Sequence, residues 1–89
     1  MYSKTVTVVN PEGMHMRPAK MLADKATNFS SEITLHTADE QEVNAKSVLG
    51  IIGLGLEKGA SVTLAAEGED EQQAVETLSE MFANGFGEL

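Results

Sequence analysis

From Lys4 to Asn10 the chain reads Lys-Thr-Val-Thr-Val-Val-Asn, with β-branched residues on both faces, which predicts a strand. Asn10-Pro11-Glu12-Gly13 is a turn cluster. Between Met16 and Asn28 the apolar residues Ala19, Leu22, Ala23 and Ala26 recur at helical spacing, and Pro18 fits a first turn, where its missing N–H is not needed. Glu32–Thr37 alternates with Ile33 and Leu35 on one face; Ala38-Asp39-Glu40 makes a hairpin connection, and 41–45 is a short return strand. Ser47 stands before an apolar run as a helix N-cap, and the glycines at 50, 53 and 55 keep that helix short. A fourth strand runs from Ala60 to Glu67 through Val62 and Leu64. Asp70 opens a final helix in the manner of a capping box; its stripe is Ala74, Val75, Leu78, Met81 and Phe82, and Asn84-Gly85 ends it. The glutamates at 69, 71, 76 and 80 are then a solvated face.

The order β-α-β-β-α-β-α predicts an α+β fold. It is an open-faced two-layer β-sandwich, in which a four-stranded sheet is covered on one face by the helices. Its 89 residues make one domain, 1–89, too short for two lobes around a cleft, which argues against a self-contained metabolic enzyme. With 42% hydrophobic and 22% charged residues the chain is globular rather than disordered. No apolar run approaches the roughly 20 residues that span a bilayer, and the alternating start is unlike a signal peptide. Without cysteine there is no disulfide or thiolate metal site, so the expectation is a cytoplasmic monomer with no membrane insertion.

Charge narrows the search. The formal net charge is -8, yet residues 1–31 hold Lys4, Arg17, Lys20 and Lys25 against Glu12 and Asp24, four minus two. That excludes a nucleic-acid binder, which needs a basic footprint, and places any anion site near residues 10–25. Within that window lies Gly13-Met14-His15-Met16-Arg17-Pro18-Ala19. A histidine where a turn becomes a helix meets unpaired amides and roughly half a positive charge. An arginine two residues on adds a forked donor suited to phosphate oxygens. A neutral imidazole nitrogen can attack phosphorus, and the Met16 and Arg17 amides with the Arg17 side chain would hold the resulting oxygens. No second base or metal ligand is close in sequence, so the set suits a transient phosphoryl carrier better than a hydrolase. The bland reading of His15 is a surface or capping residue. His36 reads as a plain strand residue, and two histidines with scattered carboxylates make no metal spacing. The glycines of 50–55 do not form a nucleotide-binding loop.

The segment 13–19 resembles the phosphorylation-site motif of the HPr family, the histidine-containing phosphocarriers of the bacterial phosphotransferase system. Ala45-Lys46-Ser47 resembles the family's second signature, a regulatory serine at the start of a short helix, and the likeness covers essentially the whole chain. The resemblance implies a four-stranded antiparallel sheet with three helices and no cofactor. It implies that His15 takes a phosphoryl group on Nδ1 from Enzyme I, which draws it from phosphoenolpyruvate, and passes it to an EIIA-type domain. Arg17 would stabilise the phosphoryl charge, and Ser47 would be the target of an HPr kinase/phosphorylase. The expected docking face comprises Met14, Met16, Lys20, Leu49 and Ile52, with Met14 and Met16 at the surface. Met16 replaces a residue that is usually small in the family, and Asp24 and Thr27 stand where sugar-type members often carry lysines. The ending Met81-Phe82-Ala83-Asn84-Gly85-Phe86 is similar to the nitrogen-branch paralogue NPr, whereas Lys46–Gly50 resembles kinase-regulated members. Two alternatives remain open at this point: an NPr-type regulatory relay, and a binding module acting mainly through Ser47.

Overall fold

In a computed structural model describing residues 1–89, four strands form one sheet: β1 (Tyr2–Thr7), β2 (Glu32–Thr37), β3 (Glu42–Asn44) and β4 (Ser61–Glu67). Their spatial order is β1-β4-β2-β3 and every pairing is antiparallel. Three helices intervene, α1 (Met16–Ala26), α2 (Val48–Gly53) and α3 (Glu71–Ala83), followed by a 3₁₀ turn at Gly85–Gly87. The expected order of elements therefore holds. β1 begins two residues earlier than the β-branched run suggested and its ladder ends at Thr7. Val8 still exchanges backbone hydrogen bonds with the segment before β4, donating to Ala60 and accepting from Gly59.

The alternation of β2 and β4 puts Ile33, Leu35, Val62, Leu64 and Ala66 on the inner face, all buried. Against them lie Ala19, Leu22, Ala23 and Ala26 of α1 and Ala74, Val75, Leu78 and Phe82 of α3. Each large aliphatic side chain so buried contributes about 1.5–3 kcal/mol relative to exposure. The alanines let the helices approach the sheet closely. The other face of the sheet carries polar side chains, among them Thr5 and Thr63, whose hydroxyls meet at 3.1 Å.

The start of α3 departs from the expected capping box. Asp70 occupies the N-cap position without a side-chain cap; its carboxylate accepts from Ser30 and Ser31 instead. The carboxylate of Glu71, not the residue at 73, accepts from the Gly68 amide at 3.1 Å. Nor is Glu76 merely solvated: it accepts from the Tyr2 hydroxyl at 2.5 Å and pairs with Lys4 at 3.4 Å, tying α3 to β1.

Candidate functional site

The site begins with Gly13. Its φ is +69°, and a Cβ there would collide with the backbone of Leu56 and Glu57. Only glycine fits both the left-handed conformation and the close approach. The turn is pinned on each side, by Gly13 N–H to the Asn10 carbonyl at 3.1 Å and Met14 N–H to the Leu56 carbonyl at 2.9 Å. His15 follows as the N-cap of α1 with extended backbone, and its carbonyl accepts the first helical bond, from Ala19 at 3.0 Å. Pro18 is buried in the first turn, where no amide hydrogen is required. The Met16 and Arg17 amides donate to no group of the protein, as first-turn amides do, and they form the positive end of the helix dipole.

The His15 side chain is about one-third exposed. Nδ1 makes no hydrogen bond, while Nε2 lies 3.0 and 3.2 Å from the two carboxylate oxygens of Glu88. The Arg17 guanidinium, 66% exposed, stands 3.8 Å from the same carboxylate. His15, Arg17 and Glu88, with Pro11 and Glu12, line an open depression of about 280 Å³ that has no hydrophobic wall. Arg17 is its one permanent positive charge, set against two carboxylates.

Glu88 is the member that sequence reading missed. It arrives because the chain folds back after α3. Gly85, Phe86 and Gly87 all take positive φ, and Phe86 is buried edge-to-face against Phe82, with ring centroids 5.0 Å apart. A phenylalanine between two glycines was the available signal for this return, but nothing in the sequence pairs positions 73 apart.

The expected docking face is partly redrawn. Met16 and Leu49 are exposed, at 59% and 80%, and Ile52 is half-buried against the core. Lys20 is exposed and paired with Asp24 at 2.9 Å. Met14, by contrast, is 4% exposed and belongs to the hydrophobic core. Its amide is fixed to Leu56 by the glycine turn, which sends the side chain inward, so it offers nothing to a partner. Ser47 caps α2 as expected, its hydroxyl oxygen accepting from the Gly50 amide at 3.0 Å. His36 lies in β2 and bonds to Thr34 at 2.8 Å. No cluster of three potential metal ligands occurs in the chain, and no helix is long and apolar enough to cross a membrane.

Known proteins align with this arrangement. The family described as the PTS HPr component phosphorylation site matches residues 2–84. The phosphocarrier protein HPr of Lysinibacillus sphaericus is 48% identical over 79 residues, 89% of each chain. The multiphosphoryl transfer protein of Haemophilus influenzae is 41% identical over 86 residues, which are 94% of this chain and 17% of that protein. Among solved structures, HPr from Thermoanaerobacter tengcongensis superposes with a TM-score of 0.94 at 39% identity, covering 100% of this chain and 99% of the other.

Proposed function

Because this chain belongs to the HPr family of phosphocarriers of the phosphotransferase system, we propose that it carries the phosphoryl group on Nδ1 of His15. The donor is phospho-Enzyme I, charged from phosphoenolpyruvate, and the acceptor is an EIIA-type domain. Proteins of this family are carriers rather than turnover enzymes. A carrier needs a nucleophile exposed to two partners in turn and a local setting that holds phosphate without hydrolysing it.

The observation that best supports this reading is the state of His15 itself. Its Nδ1 is unengaged, and His15 is the N-cap of α1, whose first two amides, those of Met16 and Arg17, have no acceptor in the protein. The Nδ1 lone pair attacks phosphorus, the bond from phosphorus to the donor breaks, and its electron pair leaves with the donor. Charge accumulates on the phosphoryl oxygens. The Met16 and Arg17 amides and the dipole of α1 are already oriented for it, so little reorganisation is needed. Arg17 must leave Glu88 to join them; at 3.8 Å and with most of its surface in water, the pair holds it weakly. Return of the phosphoryl group to an acceptor retraces the step.

Docking would use the exposed Met16 and Leu49, with Ile52 beside them and Lys20 on the rim, a small apolar patch with polar edges. A phosphate on Ser47, placed there by an HPr kinase/phosphorylase, would add about -1.5 to -2 charge to that patch. It would repel the acidic docking surface expected of Enzyme I.

The test is incubation of the purified chain with Enzyme I and phosphoenolpyruvate. His15 should acquire an acid-labile, alkali-stable phosphate, as a phosphoramidate would be, and His15→Ala should acquire none while remaining folded. Acid-labile phosphate on the Ala variant would reject His15 as the carrier.

A further inference from the structure

We infer that Glu88 decides which nitrogen of His15 takes the phosphoryl group; the inference rests on the carrier reading above. The Glu88 carboxylate covers one side of the ring, with Oε2 3.0 Å and Oε1 3.2 Å from Nε2. It is only 13% exposed. Oε1 also accepts from the Asn10 side-chain amide at 3.0 Å. Asn10 is fully buried, and the same NH₂ group donates to the Gly13 carbonyl at 2.6 Å. The carboxylate is therefore anchored from below to the turn that sets His15, and it does not depend on the exposed Arg17, 3.8 Å away.

The chemical consequence follows from hydrogen-bond roles. An ionised carboxylate only accepts, so the Nε2 it faces carries the hydrogen. A neutral imidazole has one N–H, which leaves its lone pair on Nδ1. As Nδ1 attacks, the ring becomes positive and the proton stays on Nε2 beside a negative charge. Attack by Nε2 would require the proton to move to Nδ1 and the carboxylate to withdraw. Glu88 is thus a positioning residue that sets regioselectivity through tautomer and cover, and Asn10 holds it in place.

Phosphoramidate tests this without Enzyme I, because it is small enough to reach either nitrogen. The lone pair of His15 displaces ammonia from phosphorus; the phosphorus–nitrogen bond of the donor breaks and a new one to the ring forms. Phosphorus NMR separates the two isomers of phosphohistidine. The unaltered protein should give the Nδ1 adduct. In Glu88→Ala the share of the Nε2 adduct should rise by about tenfold or more, the scale of losing one charge-assisted hydrogen bond. Glu88→Gln, whose side-chain oxygen can take the Oε1 position that accepts from Asn10 and lies 3.2 Å from Nε2, should keep more of the Nδ1 selectivity than Glu88→Ala, a difference that a general loosening of the fold would not produce. Nitrogen spectra of the ring in the unaltered protein should show the hydrogen on Nε2. A Glu88→Ala protein that labels only at Nδ1, or a hydrogen found on Nδ1 in the unaltered protein, overturns the inference and leaves the carrier reading standing. Failure of His15 to label with either phosphoramidate or Enzyme I overturns both.

Discussion

Ser31 gives both its amide and its hydroxyl to one oxygen of Asp70, at 3.0 and 2.5 Å, across 39 positions of sequence. The other carboxylate oxygen accepts from the Ser30 amide at 2.9 Å. One side chain thus ties the entry of β2 to the entry of α3. The Ser31 hydroxyl, and after it the Ser30 and Ser31 amides, hold the Asp70 carboxyl below the ordinary aspartate range. A carboxyl depressed in the folded state stabilises the protein above its unfolded value, and that contribution disappears as pH falls through the folded value. The Asp70→Asn variant should therefore be less stable at neutral pH and lose less on acidification below the ordinary aspartate range. Thermal melts across that range check this; parallel losses in the two proteins would show that the link contributes nothing.

Tyr2 supplies the corresponding test at alkaline pH. The hydrogen bond to Glu76, then desolvation and the glutamate's charge, push the tyrosine above its ordinary value. A group raised in the folded state stabilises it fully below the unfolded value, about 10, and that contribution is lost as pH rises through the folded value. The chain has a single tyrosine, so its ultraviolet titration reports this site alone. Glu76→Gln should bring the transition back toward the ordinary value, and an unmoved transition would remove Glu76 as the cause.

Gly13→Ala should cost at least about 2 kcal/mol in urea denaturation, since it combines positive-φ strain with a clash against the Leu56 carbonyl. It should also slow phosphorylation of His15, because the turn pinned between Asn10 and Leu56 is what directs that residue. Full activity with a small stability loss would mean that the turn relaxes without moving the site.

Leu49 and Met14 should separate docking from packing. Leu49→Glu should slow transfer from Enzyme I while shifting the melting temperature by only a few degrees, as expected of a residue 80% exposed. Met14→Ala should instead cost about 2–5 kcal/mol through lost core volume. The reverse pattern would restore Met14 to the docking face.

Ser47→Ala should lose about 1 kcal/mol with the Gly50 cap, as helix N-caps do. Ser47→Asp keeps a cap acceptor and adds charge. It should remain folded and accept phosphate from Enzyme I more slowly; a rate equal to that of the unaltered protein would leave Ser47 as a cap alone.

What the sequence determined by itself is local or periodic. Strand alternation, the 3.6-residue stripes of α1 and α3, the Ser47 cap and the glycine–histidine–arginine–proline run were all legible, because each is fixed by neighbours a few positions apart. Periodicity ceases in turns, and no repeat says where a turn residue such as Met14 points. Tertiary structure decided that, through the pairing of Met14 with Leu56. It also decided that Asp70 serves Ser31 rather than its own helix, and that Glu88 returns to His15. Both partnerships join groups far apart along the chain, brought together by burial of the apolar faces that sequence does display. Composition can show that a carboxylate exists, but only the packed core fixes which donor it meets.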